Sequence, residues 1–215
     1  MIEAVVFDLD GVIVDTEQVW DEVREELVRE RGGRWSDSAQ ADMMGMSSRE
    51  WSRYLHEELG LAEPPEELND EVVRRMLGRY RENLPLIDGA VRAVERLAAE
   101  LRLAVASSSN RALIEAMLEQ AAIGAHFEAT VSSEEVARGK PAPDVYLEAA
   151  RRLGIEPARC AAVEDSSNGL RSAHAAGMRI VAFPNRHYPP DPEALALADR
   201  VLASLDELTV EAVTP

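Results

Sequence analysis

The chain of 215 residues has one cysteine, Cys160, so it forms no internal disulfide and must bury its core without covalent staples. Aromatic residues are scarce, at 5%. No apolar run approaches the ~18 residues that a membrane-spanning helix needs. Positive charge is short as well: 23 Lys and Arg stand against 40 Asp and Glu, a net charge of −17. A field of that sign repels nucleic acid and anionic membrane surfaces, and no basic run of five or more interrupts it. The opening Met1-Ile2-Glu3 carries an acid where a signal peptide wants positive charge, so a cytoplasmic compartment is expected. Lysine is as scarce as cysteine, since Lys140 is the single one among the 23 basic residues. What remains is 46% hydrophobic and 29% charged, with 12 Gly and 11 Pro, the profile of one compact domain or two small ones.

Short apolar runs recur at Ala4 to Phe7, Leu103 to Ala106, Ala161 to Val163, Ile180 to Phe183 and Val201 to Ala203. Each is bounded by polar or turn residues, as buried strands are. Helical spacing lies between them: Val91, Val94, Leu97 and Ala98; Leu113, Ile114, Met117 and Leu118; Leu170, Ala173 and Gly177. Strand alternating with helix implies an α/β fold, a doubly wound parallel sheet covered on both faces. Residues 17–84 break the rhythm. They hold no convincing strand, and helical segments are expected near Val19 to Arg31, Ser48 to Leu59 and Glu66 to Arg81. The expected division is therefore a core of residues 1–16 and 85–215 with a helical insertion of residues 17–84. It re-enters at Pro85-Leu86-Ile87-Asp88-Gly89 and sits over the sheet edge as a lid.

In an open parallel sheet the ligand site lies at the carboxyl ends of the strands. Ala4 to Phe7 is followed by Asp8-Leu9-Asp10-Gly11, Ala104 to Ala106 by Ser107-Ser108-Ser109-Asn110, and Ala161 to Val163 by Glu164-Asp165-Ser166-Ser167-Asn168. Residues two apart in extended backbone point the same way, so Asp8 and Asp10 project together. With Glu164 and Asp165 on a neighbouring strand, four acids crowd one spot and require a cation. An all-oxygen set without His or Cys at ligand spacing favours a hard divalent ion, Mg²⁺. The plainer alternative is that each acid caps the helix that follows. Lys140 lies in Gly139-Lys140-Pro141-Ala142-Pro143-Asp144, before a helix start set by proline. A chain that writes arginine elsewhere keeps an ammonium here, which suits a compact point charge bridging a carboxylate and a phosphate oxygen. Serine hydroxyls and backbone N–H groups near Ser107 and Ser108 suit the other oxygens.

These motifs, in this order, resemble those of the haloacid dehalogenase-like (HAD) hydrolases, in the phosphatase and phosphoglucomutase-like branch with a small helical cap after the first strand. Asp8-Leu9-Asp10-Gly11-Val12-Ile13-Val14-Asp15-Thr16-Glu17 is similar to the first motif, Ser107 to the second, Gly139 to Asp144 to the third, and Glu164 to Gly169 to the fourth. The resemblance implies a Rossmann-like core with Asp8 as nucleophile forming an aspartyl-phosphate, and Asp10 as the acid that protonates the leaving oxygen and then activates water. It implies Mg²⁺ held by the Asp8 carboxylate, the Asp10 backbone carbonyl and Asp165, with Glu164 a direct or water-mediated ligand. Substrate contacts are expected from Ser107, Ser108, Asn110 and Lys140, and from Gly45 and Arg49 in the cap. The expected partner is a small phosphate ester, and the expected assembly is a monomer or a weak homodimer.

The same core serves β-phosphoglucomutase chemistry. The mutases place a histidine early in the cap, where this chain has Trp20, and Arg49 in Met44-Gly45-Met46-Ser47-Ser48-Arg49 is offset by one from their pattern. Hydrolysis is the favoured expectation, with phosphosugar mutation and a non-catalytic binding module as the alternatives. Cys160, His56, His126, His174 and His187 are assigned no chemistry.

Overall fold

The computed structural model describes residues 1–43 and 46–214. Strand β1 (Ala4–Phe7) is flanked by β2 (Arg102–Ser107) and β4 (Cys160–Glu164), with β3 (Phe127–Ser132), β5 (Arg179–Ala182) and β6 (Arg200–Val201) completing the sheet. The order is β3-β2-β1-β4-β5-β6, and every pairing is parallel. The order in which strands are laid down reverses between β1 and β4, which is where such sheets open a ligand crevice.

Both faces of the sheet are covered, as the unbroken apolar runs require. Val5, Phe7, Leu103, Val105, Ala161 and Val163 face one layer; Ala4, Val6, Ala104, Ala106, Cys160 and Ala162 face the other. Strand β3 was not among the expected strands. Its sequence, Phe-Glu-Ala-Thr-Val-Ser, has an exposed Glu128 and only partial burial in its middle, because it is the sheet's edge. The last strand covers two residues, Arg200 and Val201, where three were expected at Val201 to Ala203.

Residues 17–84 are helical throughout their regular elements: α1 (Glu17–Glu30), α2 (Ala39–Met43), α3 (Ser48–Glu57) and α4 (Pro65–Glu82). Helix α4 shows why. Pro65 opens it, Glu66 and Glu67 occupy its first turn, Arg79 and Arg81 its last, and Leu68, Val72, Met76 and Tyr80 bury one stripe at four-residue spacing. The two linkers run side by side: the Asp15 N–H donates to the Pro85 carbonyl at 2.8 Å and the Ile87 N–H to that of Ile13 at 3.0 Å. Beyond them lie α5 (Ala90–Ala98), α6 (Arg111–Gln120), α7 (Asp144–Leu153) and α8 (Ser167–Ala175). Among the described residues no helix is long and apolar enough to cross a membrane.

Helix α5 buries Ala90, Ala93, Val94 and Leu97; of the Val91, Val94, Leu97 and Ala98 spacing read from its sequence, Val94 and Leu97 are buried and Val91 and Ala98 half-buried. Leu97 is fully buried. Leu97→Ala is expected to lower the unfolding free energy by about 2–5 kcal/mol, read as a lower urea midpoint at unchanged slope.

Candidate active site

The Asp8 N–H donates to the Val163 carbonyl at 3.0 Å, continuing the pairing of β1 with β4 by one residue and fixing Asp8 above the switch point. The chain then turns sharply: the N–H groups of Val12, Ile13 and Val14 all donate to the Leu9 carbonyl. Gly11 has φ +77°, and a Cβ there would overlap the Asp165 carboxylate. The glycine is needed twice, for the turn and for the acid packed against it. Gly169 plays the same part for Glu164, whose carboxylate occupies the space of its missing Cβ.

Lys140 is the centre of the arrangement. Its side chain is 1% exposed, and Nζ lies 3.0 Å from Asp8 Oδ2 and 2.5 Å from Glu164 Oε1. Burial works against the ammonium, but the charges of Asp8 and Glu164 outweigh it and raise its pKa. Glu164 is fully engaged: Oε1 also accepts from the Tyr146 hydroxyl at 2.8 Å, and Oε2 from the N–H groups of Asp165 and Ser166 and the Ser166 hydroxyl. Asp8 Oδ1 accepts from the Leu9 N–H at 2.8 Å. Asp165 accepts from the Asn185 amide at 3.3 Å.

Asp8, Glu164 and Asp165 offer oxygens within 4.8 Å of one another. Burial, followed by the charges of its acidic neighbours, pushes the Asp165 carboxyl well above the usual range; burial does the same for Asp8 against the pull of Lys140. One ammonium thus faces three carboxylates, and the donor set is oxygen only. This fits a hard divalent cation bound by Asp8 and Asp165; Glu164 has no oxygen free of hydrogen bonds to offer. The capping alternative fails at this strand end, because Ser166 caps α8, its hydroxyl accepting from the Gly169 N–H at 3.1 Å. It fails after β1 too, since the next helix begins at Glu17.

Asp10 is held from two sides. Its Oδ1 accepts from the Thr16 hydroxyl and from Trp20 Nε1 at 3.2 Å, its Oδ2 from the Ser109 hydroxyl at 2.7 Å. Asp8, Asp10, Ser108, Ser109, Lys140, Asp165 and Ser166 line one cavity, together with the cap residues Glu17, Trp20, Arg24, Met43, Met46 and Trp51. Ser107 is fully buried, and its hydroxyl accepts from the Ser109 N–H at 3.0 Å, shaping the loop. Ser109 itself was not singled out from sequence, although it belongs to the same serine run.

Other expected contacts lie elsewhere. Asn110 donates to Asn69 Oδ1 at 2.9 Å and Glu134 Oε1 at 2.7 Å, joining core to α4 outside this cavity. Arg49 is exposed and lines a separate groove with Arg53, Glu66 and Asp70. Gly45 lies outside the described residues. Sequence reading gave no role to Thr16, Glu17, Arg24, Tyr146 or Asn185, whose signal is only their spacing: Glu17, Trp20 and Arg24 follow i, i+3, i+7 on one helix face.

Fold and site together define a doubly wound α/β core whose acidic strand ends surround one buried lysine beneath a helical cap. A family profile described as haloacid dehalogenase-like hydrolase matches residues 2–177, and the chain belongs to that family. It is 32% identical over 218 residues to hexitol phosphatase B of Escherichia coli (strain K12), covering 98% of this chain and 96% of that protein. Fructose-1-phosphate phosphatase YqaB of Escherichia coli (strain K12) is 32% identical over 82% of this chain and 93% of its own. Among solved structures, CbbY from Rhodobacter sphaeroides in complex with phosphate superposes with a TM-score of 0.87 at 28% identity, covering 99% of both chains.

The raised carboxyls fix a direction for stability. Where a folded carboxyl titrates above its unfolded value near 3.8, the native state binds more protons, and stability falls as pH rises through that window. In chelator, Asp165→Asn is therefore expected to melt roughly 2–8 °C above the parent at pH 8, with the gain shrinking at pH 4. Thermal unfolding at the two pH values measures it.

Proposed function

We propose that the protein is a Mg²⁺-dependent phosphomonoester hydrolase, acting on a small sugar-phosphate-like metabolite through an aspartyl-phosphate at Asp8. The observation that carries this reading is the Lys140 ammonium, buried and shared by Asp8 and Glu164, opposite an Asp10 oriented by three donors.

Asp8 attacks phosphorus through its carboxylate, the bond from phosphorus to the leaving oxygen breaks, and Asp10 delivers a proton to that oxygen. Lys140 holds the Asp8 carboxylate in line and offsets the charge that gathers on the phosphoryl oxygens. Ser108, at the cavity edge, adds a donor to those oxygens. Asp10, now ionised, takes a proton from water, which attacks phosphorus and releases Asp8 and inorganic phosphate. The Asp8 and Asp165 carboxylates and the Asp10 backbone carbonyl would hold Mg²⁺, which would supply the charge neutralisation that lets an anionic nucleophile approach an anionic ester. Glu164 serves as the fixed counter-charge of Lys140.

Hydrolysis is favoured over mutation by Trp20, an indole that donates to Asp10 and exchanges no proton near neutral pH, and by the position of Arg49 in another groove. Relatives named as hexitol and fructose-1-phosphate phosphatases point the same way. Residues 17–84 act as a moving cap on the paired linkers. The cavity measures about 50 Å³, room for a few waters, so a sugar phosphate enters only when the cap lifts.

Phosphate release from p-nitrophenyl phosphate is expected to require Mg²⁺, to stop in chelator and to fall at least about 10³-fold in Asp8→Asn. Full activity in that variant rejects the covalent route. With hexose phosphates, interconversion of the 1- and 6-phosphates outrunning phosphate release would make the protein a mutase.

A further inference from the structure

The cavity has a second polar pole, on its cap wall, which the chemistry above does not use. Helix α1 presents Glu17, Trp20 and Arg24 to it, and α3 adds Trp51. Arg24 is 5% exposed, and no carboxylate among the described residues forms an ion pair with it, although the charges of Glu17 and Asp10 lie near. Its guanidinium lies over the rings of Trp20 and Trp51, 4.4 and 5.0 Å from their centroids. Nη1 donates to Gln40 Oε1 at a long 3.4 Å, and Nε has no partner. Gln40 in turn donates to Glu17 Oε2 at 3.1 Å and to the Glu17 carbonyl at 3.2 Å. Burial and the nearby Asp10 charge push the Glu17 carboxyl up to about 7.

A guanidinium buried only to fill space is a poor choice, because an apolar side chain of similar length packs as well without losing hydration. Two aromatic faces restrict this one to a plane and leave the N–H edge as its polar outlet. A guanidinium at the wall of the reaction cavity, held by one long hydrogen bond from Nη1 and with an enclosed Nε unpartnered among the described residues, is under-satisfied by the chain and suits an acceptor from outside it at its N–H edge. Glu17, linked to it through Gln40, supplies an acceptor beside those donors.

We propose that Arg24 is a specificity-determining residue of this enzyme, donating from the cap to an oxygen of the leaving group while Glu17 accepts from a neighbouring hydroxyl. The pair thereby selects uncharged, polyhydroxylated phosphate monoesters. The choice of an uncharged leaving group follows from the charges on the wall: Arg24 is the one cap cation among the described lining residues, and Glu17 and Asp10 stand beside it. A second phosphate would meet two acids for one base.

The inference rests on the hydrolase reading, and the test separates the two. Phosphate release in Mg²⁺ is measured for the parent, Arg24→Met and Arg24→Lys on p-nitrophenyl phosphate, on the best of glucose 6-phosphate, glucitol 6-phosphate and fructose 1-phosphate, and on fructose 1,6-bisphosphate. The readout is the ratio of kcat/KM on the sugar or polyol ester to that on the aryl ester, which does not depend on the folded fraction of a preparation. The ratio is expected to fall roughly 10- to 100-fold in Arg24→Met. Arg24→Lys, which keeps charge without the planar fork, also falls and serves where the Met variant does not fold. An unchanged ratio in both variants, with an active parent, overturns the role of Arg24 and leaves the hydrolase reading standing. A parent that cleaves the aryl ester but none of the sugar and polyol monoesters overturns it as well. A parent that prefers the bisphosphate to fructose 1-phosphate, with the preference lost in Arg24→Met, overturns the uncharged leaving group. A parent that cleaves no ester removes the hydrolase reading itself.

Discussion

The ammonium of Lys140 is the constraint on which the rest of the site depends. It is buried with two carboxylates, 3.0 Å from Asp8 and 2.5 Å from Glu164, and none of the three is affordable alone in such a place. Removing one partner from a buried charge pair costs about 3–5 kcal/mol, because the other charge is left uncompensated. The pairing also explains the chemical choice of lysine in a chain that otherwise uses arginine. Two carboxylates from different strands converge here on one small cation, and a planar fork would have to satisfy five N–H donors in the same space. Tyr146 over the ammonium, its ring centroid 5.1 Å away, closes the remaining side.

Around that point the backbone gives way to the carboxylates. Gly11 and Gly169 are where the chain passes so close to Asp165 and Glu164 that no side chain fits. Gly139 is a milder case at the cap boundary, where a Cβ would come 3.1 Å from Ser47 Cβ just before α3 and the neighbour would have to give by a few tenths of an ångström. The acids are therefore packed as tightly as core residues are, while carrying charge. That combination raises the carboxyls of Asp8 and Asp165, and it marks the place where stability has been given up for reactivity.

Much of this was legible in the sequence, for a physical reason. Asp8, Lys140, Glu164 and Asp165 sit at strand ends or before a proline-set helix start, positions that parallel topology brings to one crevice, so pattern alone located them. Asn110 follows the same rule at the end of β2, yet its side chain turns toward Asn69 and Glu134 and joins the cap to the core. Strand-end position fixes a neighbourhood; it does not fix which way a side chain rotates. The cap residues were harder still. Arg24 and Glu17 carry no signal beyond their helical spacing, and only the packing of α1 against α3, with Trp20 and Trp51 edge to face at 5.9 Å, turns that face inward. Strand β3 escaped because an edge strand need not be apolar along its length.

Cap and core meet in the acid. Of the three donors on Asp10, Ser109 belongs to the core loop after β2, whereas Thr16 and Trp20 belong to the linker and first helix of the cap. Any displacement of α1 away from that loop breaks the indole contact and separates Asp10 from the wall that carries Arg24 and Glu17. On the proposed mechanism, the orientation of Asp10 as proton donor therefore depends on where the cap sits over the core loop. Chemistry at Asp8 and recognition at the cap are then not two sites joined by a distant signal. On the proposed reading they share one carboxylate, Asp10, whose Trp20 contact ties the proton donor to the wall that carries Arg24 and Glu17.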